Sequence, residues 1–362
     1  MRTLVRATAL AGVAALALAA CGQAPDEGGS DSTGTQSAAN EFHACMVSDS
    51  GGIDDRSFNE AAYKGLQDAE KKGGVKVDFL ESQADTDYAP NIAQLVSQDC
   101  GIIVTVGFLM GDATSEAATA NPDEKFAIVD SAPETPIENV KPLLFDTAQA
   151  AFLGGYLAAG MTQTGKVATF GGMKIPPVTI FMDGFVDGVK YYNEKNGTNV
   201  VALGWDKAAQ DGSFTGDFND QNKGKTLTDQ FIQQGADIVL PVAGPVGLGA
   251  AAAAQATNGK VNLIWVDSDG YESASQFKSL FISSVLKRVD TAVLDATEQA
   301  QADKFDNTPF VGTLDNEGVA LAPFHDFDAK VPAKLKEDLT KLQADIISGA
   351  VKVESPASPK TS

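Results

Sequence analysis

Histidine is nearly missing from this sequence: of 362 residues, only His43 and His325 carry an imidazole. That leaves little material for a Ser/His/Asp triad or a His-rich zinc site, although chemistry based on carboxylates stays open. Positive charge is scarce as well, with 27 Lys and Arg against 48 Asp and Glu and a formal net charge of −21. So acidic a chain is repelled by phosphate backbones and has no polybasic patch for anionic lipid, so no nucleic-acid partner is expected. Nucleotide fingerprints are absent too. GFLMGD, FGGMK and AGPVGLG are glycine-rich turns, but none places GxGxxG or GxxxxGK[ST] between a strand and a helix, and no nucleotide cofactor is expected. Asp54 and Asp55 lack the alternating carboxylates and twelfth-position Glu of a calcium loop; they read as a solvated acidic loop, and no metal is expected.

What is present begins with an address. Arg2 and Arg6 precede a largely apolar run, Ala7 to Ala20, too short for a comfortable membrane span. Leu18-Ala19-Ala20-Cys21 resembles a bacterial lipobox, which makes 1–20 a signal peptide and Cys21 the lipidated residue; an ordinary secretory peptide cut near Ala20 is the alternative. Residues 21–41 are small and polar and read as a flexible tether, and 354–362, with Pro356 and Pro359, as a loose tail. Cys45 and Cys100 each open an apolar strand-like run. Were those strands neighbours in a parallel sheet, the two would lie within disulfide reach; otherwise they are buried free thiols.

Between tether and tail, short β-rich runs alternate with helical stretches, the pattern of an α/β protein with parallel sheets. There are enough of them for two doubly wound domains. The first break is expected near Lys141–Asp146, before a helix of small residues, AQAAFLGGYLAAGM, whose glycines suit close packing better than a membrane. A second crossing is expected after Trp265-Val266-Asp267, with Phe281–Leu286 returning to the first sheet. The N-terminal lobe is then 42–145 plus about 270–353, and the C-terminal lobe 146–269.

In such sheets ligands sit at the carboxyl ends of the strands. Asp49, Asp130 and Asp267 each end a strand candidate, and Gly244 follows another. Ser57 and Glu60 form a capping box that starts a helix carrying Phe58, either a ligand contact or core packing beneath the loop. Asp49 likewise has a plain reading as a loop cap. Clustered carboxylates accept hydrogen bonds, which suits hydroxyl- or amine-bearing ligands and rejects phosphate. One positive donor closes the last strand, Lys287 or its neighbour Arg288, since adjacent strand residues face opposite ways.

GGIDDRSFNEAAYKGL, VGFLMGDA, NPDEKFAIVD, the stretch from FDTAQAAF to FMDGFVDG, WVDSDGY and SSVLKRVDTAV together resemble the basic membrane protein family of solute-binding lipoproteins, from about Phe42 to Leu339. The resemblance implies a type I periplasmic-binding-protein fold with a multi-strand hinge, no catalytic residue, and capture of nucleosides, purines favoured, for an ABC importer. The protein would act as a monomer, lipid-anchored on the extracytoplasmic face of the cell membrane. Carried over, it makes Phe58 one wall of a base-stacking slot and Phe214 the other, with Phe218 competing because DGSFTGDFNDQNKGK holds extra residues. Asp49, beside Asn59, and Asp130 would read the purine edge, while Asp267, Lys287 and the Gly244 backbone would hold ribose. Gly270-Tyr271 replaces the Gln usual after WVDSD. A receptor for sugars or other small polyols is the alternative within the same fold; a nucleoside hydrolase and a signalling or adhesive lipoprotein are the other classes.

Overall fold

The computed structural model describes residues 41–360; the proposed signal peptide, Cys21 and all but the last residue of the tether lie outside them. The chain runs β1 (Phe42–Ser48), α1 (Phe58–Lys72), β2 (Val75–Glu81), α2 (Tyr88–Val96), β3 (Ile102–Val106), α3 (Gly111–Ala120), β4 (Phe126–Val129) and β5 (Val140–Phe145). It continues through α4 (Thr147–Met161), β6 (Lys166–Gly171), α5 (Pro176–Asn196), β7 (Val201–Leu203), a hairpin of β8 (Trp205–Asp206) and β9 (Asp211–Gly212), α6 (Gln221–Gln233), β10 (Ile238–Val242) and α7 (Gly247–Gln255). The last elements are β11 (Asn262–Asp267), α8 (Gly270–Ser273), β12 (Phe281–Lys287), α9 (Val289–Gln301), β13 (Phe310–Gly312), β14 (Val319–Leu321) and α10 (Ala333–Ile347).

Two six-stranded sheets result, in the orders β13-β5-β4-β3-β1-β2 and β14-β12-β11-β10-β6-β7. The first is parallel throughout; in the second only the β12–β14 pair is antiparallel. The central strands are apolar on both faces because helices cover both, as in β3, where every residue of IIVTV is buried. β1 and β3 are neighbours, and Cys45 and Cys100 are joined in a disulfide with their Cα atoms 6.0 Å apart.

The expected return of Phe281–Leu286 to the first sheet is not what the structure shows. β12 lies beside β11, with Val266 opposite Val285 and Asp267 opposite Leu286. The short link through α8 joins neighbouring parallel strands of one sheet. The second crossing therefore falls at Arg288, after which α9 and β13 complete the first lobe, and a third crossing takes the chain back to β14 and α10 in the second. The three crossings are tied together: the Asp146 N–H donates to the Gly312 carbonyl at 2.8 Å and that of Arg288 to the Gly318 carbonyl at 2.9 Å.

α4, the helix of small residues, is almost wholly buried against α5. A Cβ on Gly155 would stand 2.0 Å from the Phe185 carbonyl oxygen, and one on Gly188 2.0 Å from that of Phe152, so only glycine permits this approach. Among the described residues no helix is long and apolar enough to cross a membrane. The tail differs from expectation at residues 354–360. Ser355 Oγ donates to Asp183 at 2.6 Å and Ser358 Oγ to Asp146 at 2.9 Å, so two buried or half-buried carboxylates hold the segment against the second lobe and the hinge.

Candidate functional site

Both lobes present the carboxyl ends of their strands to one cleft. Asp130 follows β4 and Asp267 ends β11, at equivalent places in the two sheets, and both residues have left-handed backbones with φ of 66° and 65°. That conformation is uncommon outside glycine, asparagine and aspartate, and here it turns both chains where they leave the sheet. A cavity lies between the lobes, with about 530 Å³ of space between its walls when the open mouth is included. Asp49, Phe58, Asn59, Asp130, Gly244, Asp267 and Lys287 all line it.

Phe214 does not. Its backbone bridges to Gly171 and its ring stands edge-on to Trp205 with centroids 5.9 Å apart, which turns the side chain into the core of the second lobe. Phe218, four residues on, takes the place at the cavity. The turn between them is pinned by Thr215 N–H and Gly216 N–H donating to the Gly171 and Gly172 carbonyls. The choice between Lys287 and Arg288 is resolved as well. Lys287 is 3% exposed and pairs with Asp130, its ammonium 4.6 Å from the Phe58 ring centroid, whereas Arg288 turns to Asp290 and Thr291.

The helix start also differs from its expected form. Ser57 makes no capping bond with its side chain; the Asp55 carboxylate accepts the N–H groups of Ser57, Asn59 and Glu60 at 2.8–3.0 Å. Asp55 is thus a buried cap, and only Asp54 of the pair is exposed. This frees Ser57 Oγ to donate to Asp267 at 2.6 Å across the cleft. Trp265 Nε1 and Ser273 Oγ both donate to the Arg56 carbonyl, and Ser268 Oγ to that of Ser57, so the loop before α1 is stitched to the opposite lobe.

Four aspartates and one lysine share this space. Burial pushes the Asp49 carboxyl up to about 8, opposed by the hydrogen bond from Asn59 Nδ2 (2.8 Å) and reinforced by Asp55 and Asp130. Burial lifts Asp55 to about 7 against its three backbone donors. Asp130 and Asp267 are also raised by burial and held back by Lys287. The arrangement accepts hydrogen bonds from hydroxyl and amine groups, donates through the Lys287 ammonium and through a carboxyl that keeps its proton, and offers no second cation to an added negative charge. The cavity wall holds no imidazole or thiol. Among the described residues the one cluster with metal-ligand types is His43, Cys45 and Cys100, whose two sulfurs are spent in the disulfide.

Sequence reasoning missed Ile175, Pro177, Val178 and Phe181, which form an apolar wall. The signal was Pro176-Pro177. Proline belongs in the first turn of a helix, so α5 starts two residues before Val178, at the open end of β6, and its first turns face the cleft. Phe108 was missed because it sits in a single turn of 3₁₀ helix after Gly107, without a periodic pattern to mark it.

Two doubly wound lobes, three crossings and a cleft lined from both sides define the type I periplasmic-binding fold. The chain belongs to the PnrA-like family of ABC transporter substrate-binding proteins, whose family model matches residues 42–355. It is 33% identical to the ABC transporter nucleoside-binding protein BmpA of Lactococcus lactis subsp. cremoris, over 95% of this chain and 98% of that one. It is 34% identical to an uncharacterized lipoprotein of Pyrococcus abyssi over 73% of this chain and 65% of the relative. Among solved structures, an ABC transporter solute-binding protein from Aeropyrum pernix K1 superposes with a TM-score of 0.79 at 27% identity, covering 87% of this chain and 94% of that one. The protein is thus a substrate-binding component of an ABC transporter rather than an enzyme.

Proposed function

We propose that this protein captures nucleosides, purines by preference, in the interlobe cleft and delivers them to the permease of an ABC importer. The observation that carries this reading is the meeting, in one cavity, of two aromatic rings from opposite lobes, Phe58 and Phe218, with Asp130, Asp267 and Lys287. A base stacks on the aromatic faces, while the carboxylates and the ammonium suit ribose hydroxyls. Four buried acidic groups face one cation, already paired with Asp130, so a phosphate would find no free positive partner and the nucleoside enters while the nucleotide does not. The named role of the Lactococcus relative supports the same ligand class. Lipidation at Cys21 holds the receptor on the extracytoplasmic face of the membrane, where it works as a monomer.

Calorimetric titration with adenosine, guanosine, inosine, uridine, adenosine monophosphate and ribose tests the reading. Purine nucleosides are expected to bind and the monophosphate not to. Binding of ribose as tight as that of the nucleosides would replace this reading with a sugar receptor, and release of free hypoxanthine from inosine would overturn transport altogether.

A further inference from the structure

Residues 354–358 run from the second lobe to the hinge and are fastened at both places. The Glu354 carbonyl accepts Lys207 Nζ, which also pairs with Asp187 of α5 at 2.5 Å. Ser355 Oγ donates to Asp183 Oδ2 at 2.6 Å, and Ser358 Oγ to Asp146 Oδ1 at 2.9 Å. Val351, Val353 and Ala357 pack on the core beside these polar anchors, so the segment has apolar contacts of its own.

Each anchor is a junction. Asp183 is fully buried within α5, and its carboxylate collects Trp205 Nε1 at 2.8 Å and Gln210 Nε2 at 3.0 Å as well as the Ser355 hydroxyl. Trp205 and Gln210 lie in the β8–β9 hairpin. Trp205 stands edge-on to Phe214, and the Ser213 N–H donates to the Gly204 carbonyl at 2.8 Å, so the hairpin leads straight into the loop that carries Phe218 to the cavity. α5 itself brings Pro177, Val178 and Phe181 to the same wall. At the other end, Asp146 sits at the first crossing. Its Oδ2 accepts Gln149 Nε2 at 2.8 Å, and Gln149 Oε1 accepts the Leu314 N–H at 3.0 Å, at the third crossing. Five consecutive residues therefore join the carboxylate that holds the apolar wall to the carboxylate that links two of the three crossings.

We propose that residues 354–358 are a strap that positions the Phe218 wall against the hinge, with Ser355 and Ser358 as positioning residues for ligand binding, and that detaching the strap weakens binding by speeding release. Neither serine lines the cavity, and neither do Asp146 and Asp183, so the effect passes through the residues they hold. Loss of the Ser355 hydroxyl leaves the buried Asp183 Oδ2 without its donor and loosens the hairpin and the Phe218 loop together. A ligand held between two walls leaves only when they part, and ties made while the walls meet favour that arrangement to the extent that they are stronger there than in the parted one. The binding arm of the test rests on the nucleoside reading above; the exchange arm does not.

The test compares the full chain with one ending at Val353, by calorimetric and stopped-flow titration with inosine and adenosine well below the melting transition. Truncation is expected to raise Kd at least threefold, through faster dissociation with the association rate little changed. Ser355→Ala is expected to act in the same direction by a smaller factor, and Ser355→Thr, which keeps the hydroxyl, to restore parental binding. In a Phe218→Ala background the truncation should change Kd by less than twofold, because the ring it positions is already gone. A loss that adds in full in that background makes the segment general support and overturns the proposal, as does an unchanged Kd and dissociation rate on truncation. If the shortened chain does not fold, Ser355→Ala combined with Ser358→Ala decides by the same readouts. Failure of both nucleosides to bind the full chain overturns the nucleoside reading, and amide exchange of the empty protein then judges the strap. Faster exchange at Ser213, Thr215 and Gly216 in the shortened chain supports it, and unchanged exchange overturns it.

Discussion

The two lobes are built on the same strand order, yet they bring different chemistry to the cleft. The first supplies Asp49, Asp55, Asn59 and Asp130 beside the rings of Phe58 and Phe108. The second supplies Ile175, Pro177, Val178, Phe181, Phe218 and Pro245, with charge confined to Asp267 and Lys287, next to the hinge. One wall presents polar groups and the other an apolar surface. Neither alone makes a selective site, because carboxylates exposed on an open lobe stay solvated and an apolar wall has no directionality. The Lys287–Asp130 pair and the stitched loop at Arg56–Ser57 cross from one wall to the other, so residues at the cleft also tie the two lobes together.

The largest effect should come from breaking that crossing. Lys287→Met leaves Asp130 and Asp267 buried without their cation, and removing one partner of a buried pair costs about 3–5 kcal/mol. Denaturant unfolding is expected to show that loss, and Lys287→Met combined with Asp130→Asn to recover much of it. Next comes the staple found only in the first lobe. Cys45 and Cys100 are 55 residues apart, so replacing both by serine should cost about 4 kcal/mol through the freed unfolded chain. Gly155→Ala in the second lobe offers the contrasting lesion, overpacking of α4 against α5, at about 1–3 kcal/mol or more.

A graded effect comes through pH and falls mainly on the first lobe, where Asp49 and Asp55 lie. Asp49 and Asp55 have folded-state carboxyls raised to about 8 and about 7, above the ordinary value of 3.8, so the folded chain holds protons that the unfolded chain has released. Stability of the empty protein then falls as pH rises from about 4 and levels off above about 8. Melting temperatures across that range are expected to show the decline, and Asp49→Asn to flatten its upper half. A rise with pH over the same window would contradict the buried, crowded environment assigned to these carboxylates.

How much of this was legible beforehand follows the same division. The first lobe could be read from sequence because its site residues stand at strand ends, where an Asp after an apolar run is conspicuous: Asp49 and Asp130 are where the pattern put them. The disulfide was legible as a conditional, since it needed only that β1 and β3 be neighbours. What failed depended on pairing between distant segments. Nothing in FISSVLK says whether its edge meets β5 or β11, because a strand buried on both faces looks the same in either sheet. The second lobe's wall was obscure for another reason. It is assembled from the first turns of α5 and from a loop, where side chains follow backbone turns rather than a period of 2 or 3.6. Ser57 and Asp55 exchanged roles because both residue types cap helices well, and the burial of Asp55 decided between them.

The choice between the two phenylalanines gives the comparison its finest test. Phe214 and Phe218 lie on one loop of the second lobe, four residues apart, and differ in which side of the wall they occupy. Phe218→Ala removes a face from the cavity and should weaken purine nucleoside binding by about 1–3 kcal/mol, roughly 5- to 150-fold in Kd, with little change in unfolding free energy. Phe214→Ala removes a ring packed against Trp205 and should lower stability while binding, measured well below the melting transition, stays within a few-fold of the parent. The opposite pattern would mean that the turn at Thr215–Asp217 swings over when ligand enters, carrying Phe214 to the base. Phe214 has no free path to do so while Thr215 and Gly216 remain bonded to the Gly171 and Gly172 carbonyls, so a reversal would also require those bonds to open. Amide hydrogen exchange at Thr215 and Gly216, slow in the empty protein and unchanged by ligand, is the outcome expected if Phe218 is the wall.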